Sequence, residues 1–252
     1  MNTQNDFILN AVTFRWTLIA LFLPLPVAAS HGKRVIEGDI DRKFRDQLSP
    51  AFHFVSRETV GATGKALVHS YTHLDGTAAV TEQVLYKGKE LAFYRQSQHQ
   101  LGTVGTLEIR DGKAHYSYTR HGEEKHDVED LDLAVPFVAG PGLADLIAAE
   151  EKELSEGGTV RFRLPVLERQ ESFEFEIKLK GVQNLKGVEI LQLEMRPSSS
   201  FISMLVSPIR LEWNCGRKAF QEIRGRLLPL WQDGNDWIAV EGVSRFNVTQ
   251  GI

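Results

Sequence analysis

Turn-forming residue pairs recur about every ten residues along most of this chain, and that spacing restricts the folds it can adopt. Between the turns, apolar and polar residues alternate, as they do from Phe173 to Leu179. This two-residue period is typical of a sheet with one buried and one solvent-exposed face. The pattern predicts a mainly β protein, an antiparallel meander of about eleven strands. The turns include Asp75-Gly76, Lys87-Gly88, Asp111-Gly112 and His121-Gly122.

One segment has the residue spacing of a helix instead. Pro141 suits a first helical position, and Gly157 and Gly158 would end the helix. We predict one covering helix near residues 141–156, on the concave face of a sheet that curls into a half-barrel or barrel. The space between this helix and the sheet is the expected ligand pocket. The apolar stripe that would face the sheet comprises Leu143, Leu146, Ile147 and Leu154.

The remaining chain contains no long linker that would divide it. Residues 51–252 are therefore expected to form a single β-rich domain. Residues 31–50 are interpreted as an arm that leads into this domain, with a short helix before Pro50. Residues 122–132 carry six acidic residues and one Lys, and this run is expected to form a solvated loop.

Residues 1–30 have the order of a secretory signal peptide. Arg15 precedes an apolar run from Thr17 to Ala28, and the small residues Ala29 and Ser30 follow. We predict cleavage near residues 29–31 and a mature protein in the periplasm, with an uncleaved anchor as the alternative. The apolar run is about a dozen residues long, whereas a spanning helix needs about twenty. No stable membrane span is therefore expected after cleavage.

The charge balance argues against nucleic acid as a partner. The chain has 29 Lys and Arg residues against 33 Asp and Glu residues, a net charge of -4, whereas nucleic-acid binding needs a basic surface. Cys215 is the one cysteine of the sequence. No internal disulfide can therefore form.

Residues that could carry catalysis or bind a metal are scattered. His69 and His73 lie four apart on a predicted strand, on the order of 13 Å from end to end, which is too far for one zinc ion. Cys215 would need a His and an acid folded against it to act as a nucleophile, and a small residue at a strand end is the simpler interpretation. No phosphate-binding, zinc-protease or nucleophile-elbow motif occurs. The sequence therefore predicts no metal site, no cofactor and no enzymatic activity.

Large apolar residues are concentrated between two of the predicted strands. Ser198 to Ser200 and Pro208 would limit this stretch to a short helix or a loop. It completes the core over an open barrel end, forms a mobile rim at the mouth of a lipid-sized pocket, or inserts into a membrane surface. The residues that would form the rim are Phe201, Ile202, Met204, Leu205 and Val206.

The order of these segments resembles a family of exported proteins of unknown function in Gram-negative bacteria. The resemblance rests on the strand meander, on GPGLADLI at residues 140–147 and on SPIRLEWNCGRKAFQEIRGRL at residues 207–227, and it covers roughly residues 51–248. The architecture also resembles the LolA and LolB lipoprotein carriers, in which an incomplete barrel covered by helices holds acyl chains. This second resemblance implies an apolar cavity and a carrier function.

The leading hypothesis is a periplasmic binding or carrier protein for a lipid or other apolar molecule. The ligand would lie between the concave sheet and Leu143, Leu146 and Ile147, with residues 201–206 at the mouth. The alternative hypothesis is a non-catalytic assembly or interaction factor of the cell envelope. Such a factor would hold a protein partner at a sheet edge or at the apolar stretch.

Overall fold

A computed structural model describes residues 33–44, 47–132 and 134–250 of this chain. The predicted signal peptide and its cleavage site lie outside the described residues. The mainly antiparallel β prediction is confirmed, and the described residues form fourteen strands in one sheet, more than the number expected. The strands are β1 (Lys33–Phe44), β2 (Gln47–Gly61), β3 (Gly64–His73), β4 (Ala78–Lys87), β5 (Glu90–Gln98), β6 (Thr103–Arg110), β7 (Lys113–Arg120), β8 (Glu123–Asp130), β9 (Thr159–Val166), β10 (Glu171–Leu185), β11 (Val188–Pro197), β12 (Ile209–Asn214), β13 (Ala219–Asp233) and β14 (Asp236–Gln250).

The first and last strands pair with each other in the middle of the sheet. β1 runs antiparallel to β14, from Arg34 opposite Gln250 to Arg42 opposite Gly242. On one side of this pair, β2 to β8 follow in sequence order, and on the other side β13 to β9 follow in reverse order. The edges of the sheet are therefore β8 and β9.

β1 occupies most of the segment that we interpreted as an arm leading into the domain. Its backbone pairs on both sides, with β14 and with β2. Ile36 and Ile40 lie on its concave face, but Gly38 stands between them, so the sequence lacks the apolar alternation of a strand. The short helix expected before Pro50 is not observed in the described residues, since the strand β2 begins at Gln47 and includes Pro50.

The acidic segment at residues 122–132 differs from expectation as well. Most of it is the edge strand β8, which pairs with β7 along its whole length. Nearly all of its residues are exposed. Charged side chains on an edge strand discourage pairing with another chain, so the acidic run is compatible with a strand at this position.

The sheet curls until its two edges come close together. Glu129 of β8 accepts hydrogen bonds from the Ser172 hydroxyl at 2.7 Å and from the Arg163 guanidinium. Residues 136–138 run alongside β9, where the Val138 amide donates to the Arg163 carbonyl at 2.9 Å. Side chains and this connecting segment thus join the two edges of an otherwise open sheet.

The predicted covering helix is present and is divided in two. A 3-10 turn at Gly140–Gly142 leads into α1 (Leu143–Ala149), and α2 (Glu151–Ser155) follows. The predicted apolar stripe is buried on both helices. A third helix, α3 (Ser200–Leu205), connects β11 to β12. Among the residues that the structure describes, no helix has the length and apolar character needed to cross a bilayer.

The core consists of three groups of buried side chains. The first packs α1 and α2 against β9 to β12, around Phe162 and Trp213. The second lies on β3 to β7, around Val84 and Leu107. The third joins β1, β2, β4 and β13, and includes Ile40. Members of all three groups border one cavity.

Candidate functional site

A cavity of about 710 Å³ lies between the concave face of the sheet and α1. Its wall is mainly apolar. The volume falls in the range of small-molecule sites, about 300–1,000 Å³. Apolar side chains of the wall include Ile40, Phe54, Leu67, Leu143, Leu227 and Phe246.

The turn between β5 and β6 reaches across the curled sheet to β13. The Gln100 side chain donates a hydrogen bond to the Leu230 carbonyl at 2.8 Å and accepts one from the Leu230 amide, also at 2.8 Å. Leu101 and Leu230 border the cavity beside this contact. These two hydrogen bonds therefore help to hold the curl that encloses the cavity.

Charged residues attach the covering helices to the sheet. Lys65 of β3 forms an ion pair with Asp145 of α1, and its Nζ lies 3.8 Å from Oε2 of Glu58. Glu151 of α2 accepts a hydrogen bond from the Lys218 ammonium at 2.5 Å. Asp145, Glu58 and Lys218 also border the cavity. Both helices are thus linked to the sheet by ion pairs next to the cavity.

A buried acid lies in the wall of the cavity. Glu82 of β4 is 4% exposed and borders the cavity. Its Oε1 accepts a hydrogen bond from the Tyr94 hydroxyl at 2.6 Å, and its Oε2 accepts one from the Tyr71 hydroxyl at 3.3 Å. Nδ1 of His69 lies 3.6 Å from Oε2. Such partners are needed because a buried polar group without hydrogen bonds is costly.

The two tyrosines act as hydrogen-bond donors to this acid. Burial is the main cause that raises the pKa of Tyr71 and of Tyr94 well above the usual tyrosine value, and the neighbouring Glu82 raises both further. Both phenols therefore remain protonated at neutral pH. Each tyrosine hydroxyl donates its hydrogen to a Glu82 oxygen, so both phenols are donors and the carboxyl group is the acceptor.

The structure places the predicted ligand-binding residues in three different environments. Leu143 borders the cavity, whereas Leu146 and Ile147 are buried in the first core group. In α3 and just after it, Phe201 and Met204 are 70% and 77% exposed, and Val206 is exposed as well. These three are not among the described residues that border the cavity. The side chains of Ile202 and Leu205 lie outside the described residues, and the role of this segment as a mouth stays a prediction.

Sequence reasoning missed the group around Glu82. Val80, Glu82 and Val84 alternate with Thr81 and Gln83, and both valines are fully buried. An acidic residue at an inward-facing position of a strand, between two β-branched apolar residues, is the signal that could have identified Glu82. Its partners come from β3 and β5, and the sequence does not show that they converge.

Within residues 33–44, 47–132 and 134–250, no three His, Cys, Asp or Glu side chains come together as a set of ligands. Cys215 is half-buried, and burial is the main cause that raises the pKa of its thiol.

Neither a protein-family model nor a curated protein matches this sequence significantly. Solved structures that are similar to it include the following two proteins. One is a beta-barrel-like protein of domain of unknown function DUF1849 from Brucella abortus, with 7% sequence identity and a TM-score of 0.48 over 88% of this chain and 100% of that chain. The other is a DUF1329 family protein from Desulfovibrio piger, with 10% identity and a TM-score of 0.29 over 90% of this chain and 88% of that chain.

Proposed function

We propose that this protein is a non-catalytic binding or carrier protein for a lipid or other apolar molecule, held between the concave sheet and α1. The observation that carries this proposal is the mainly apolar cavity of about 710 Å³. Burial of each methylene group of a ligand contributes about 0.8 kcal/mol. Ten buried methylenes would contribute about 8 kcal/mol, from which the loss of translational and rotational freedom is subtracted.

The cavity is larger than the defects found in ordinary protein cores. Protein interiors are close-packed, and voids larger than a water molecule are few. Phe54, Leu67, Leu227 and Phe246 approach this space from four different strands and still leave it open. A space of this size surrounded by large apolar side chains supports a ligand-binding function.

The covering helices are the elements best placed to admit and release a ligand. α1 has seven residues and α2 has five, and helices this short are marginally stable without tertiary contacts. The ion pair between Lys65 and Asp145 is one of their links to the sheet. We propose that release of the ligand requires displacement of α1 and separation of this pair.

Native mass spectrometry of the purified protein, followed by organic extraction, tests the proposal. We expect a bound species of lipid mass that extraction removes. Ala144 borders the cavity, whereas Ala149 is exposed on the same helix. Ala144→Trp should weaken binding of the ligand about fivefold or more and so lower the bound fraction, because overpacking costs about 1–3 kcal/mol. The control variant Ala149→Trp should bind as the wild type does.

Two results would overturn this proposal. One is that the wild-type protein, purified from its native compartment, carries no bound apolar molecule. The other is equal loading of the Ala144→Trp and Ala149→Trp variants, because the cavity would then not be the place where the ligand lies.

We also propose that the mature protein works in the periplasm. The support is the order of basic, apolar and small residues in residues 1–30, which is typical of a signal peptide. Fractionation of the native cells and N-terminal sequencing should yield a periplasmic protein that begins near residues 29–31. A full-length chain in the cytoplasm would contradict this expectation.

A second candidate function is a non-catalytic interaction or assembly factor of the cell envelope. The observation in its favour is the exposure of Phe201 and Met204, because exposed apolar groups that lie together mark interaction sites. Phe201→Asp separates the two functions. An interaction factor would lose its crosslinked partner and keep any bound lipid. Loss of the lipid would instead support the predicted position of this segment at the mouth.

A further inference from the structure

The group around Glu82 points to the kind of end group that the ligand carries. This inference rests on the proposed function, because it concerns the ligand of the same cavity. Glu82 lies in a wall that is otherwise mainly apolar, between the fully buried Val80 and Val84 of the same strand. A negative charge at such a position is unfavourable unless a positive group compensates it.

Glu82 has hydrogen-bonding capacity that its neighbours do not use. A carboxylate offers about four lone-pair sites, and Tyr94 and Tyr71 occupy one on each oxygen. Both partners are neutral phenols, so neither one compensates a charge. Among the described residues, no Lys or Arg side chain pairs with Glu82, and His69 supplies a positive charge only when it is protonated.

Aromatic side chains border the same part of the cavity. The ring centroid of Phe54 lies 5.0 Å from that of His69 and 5.1 Å from that of Tyr71. Phe54, His69, Tyr71 and Tyr94 all border the cavity. Aromatic rings attract ammonium groups, and clusters of them are the common way in which proteins bind quaternary ammonium ligands.

The other basic residues of the cavity wall are engaged elsewhere or exposed. The Arg34 guanidinium donates hydrogen bonds to the Arg217 and Lys218 carbonyls, both at 3.0 Å. The Lys218 ammonium pairs with Glu151. Arg226 is exposed on β13. The buried part of the cavity around Glu82 therefore favours a positive head group over a negative one.

We propose that the ligand is an amphiphile with a cationic ammonium head group that binds against Glu82. The head lies among Phe54, His69, Tyr71 and Tyr94, and the alkyl chain lies along the apolar wall. The ammonium supplies the positive charge that Glu82 lacks. An anionic head group at the same place would be repelled by the carboxylate.

Isothermal titration calorimetry with three probes of equal chain length tests this proposal. The probes are dodecyltrimethylammonium, dodecyl maltoside and dodecanoate, each below its critical micelle concentration and added to protein freed of its own ligand. We expect the cationic probe to bind about tenfold more tightly than the neutral one, which corresponds to about 1.4 kcal/mol. Dodecanoate should bind more weakly than the neutral probe.

Two matched variants assign this preference to one residue. Glu82→Gln keeps the side-chain shape and removes the charge, so the cationic and neutral probes should bind almost equally. Glu58→Gln is the control, because Glu58 also borders the cavity but already lies near Lys65. This control variant should keep the wild-type preference.

The outcomes distinguish this inference from the proposed function. If none of the three probes binds to the wild type, both are wrong. If all three bind equally, or if dodecanoate binds best, the cavity is a ligand site and the inference of a cationic head group is wrong. A full cationic preference in Glu82→Gln would also overturn the inference. The comparison of probes on the wild type remains decisive even if Glu82→Gln does not fold.

Discussion

The packing of α1 on the sheet can be measured with the substitution Ile147→Ala. Ile147 is fully buried and belongs to the core group that contains Phe162 and Trp213. The substitution removes three carbon atoms, which at about 0.8 kcal/mol each gives a loss of about 2.4 kcal/mol. The cavity that remains adds to this loss, so the free energy of unfolding should fall by about 3–4 kcal/mol.

Urea denaturation followed by tryptophan fluorescence measures this change, because Trp213 lies in the same core group. Ile238→Ala is the matched control, since it removes the same atoms from a side chain that is 40% exposed. Its loss should be about 1 kcal/mol or less. At about 2–4 °C per kcal/mol for a chain of this size, Ile147→Ala should lower the melting temperature by about 6–16 °C.

Equal losses for the two variants would refute the reasoning. They would mean that the contacts of Ile147 with the sheet contribute no more to the free energy of unfolding than those of the exposed Ile238 do. The helix would then not act as a packed cover of the cavity, and the proposed route of release by its displacement would lose its basis.

Two further expectations concern the close contacts and the buried phenols. Gly105→Ala should lower the free energy of unfolding by about 1–3 kcal/mol, because a Cβ on Gly105 would lie 2.6 Å from the Cβ of Leu167; an unchanged melting temperature would contradict this. Burial is the main cause that raises the pKa of four of the five tyrosines. Their contribution to stability is therefore complete below about pH 10, the usual tyrosine value, and is lost as the pH rises through the higher folded-state pKa. An alkaline titration by ultraviolet absorbance should show these phenols ionising together with unfolding, and five phenols ionising near pH 10 in a folded protein would contradict it. The four residues are Tyr71, Tyr86, Tyr94 and Tyr116.

The segments that the sequence predicted well are those with a strong local pattern. The turns at Asp75-Gly76 and Asp111-Gly112 separate β3 from β4 and β6 from β7. The helix stripe is buried as its spacing indicated. A turn needs particular residues at particular positions, and an apolar stripe needs only its own period, so both can be recognised without knowledge of the fold.

The strand β1 shows where a local pattern is insufficient. Its Gly38 lies close to the neighbouring strand, since a Cβ there would be 2.5 Å from the Arg245 carbonyl oxygen. The need for glycine at this position comes from the pairing with β14 at the far end of the chain. A glycine that is required by such a long-range contact does not contribute to the apolar alternation by which a strand is recognised in the sequence.

The antiparallel meander, the position of the covering helix and the alternation of inward and outward residues could be read from the sequence alone, because each of these depends on neighbours within a few positions along the chain. The pairing of β1 with β14, the donation of hydrogen bonds by both Tyr71 and Tyr94 to Glu82, and the high exposure of Phe201 became visible only in the folded structure. These features depend on how far the sheet curls, and the curl is the sum of many long-range contacts that no single segment specifies.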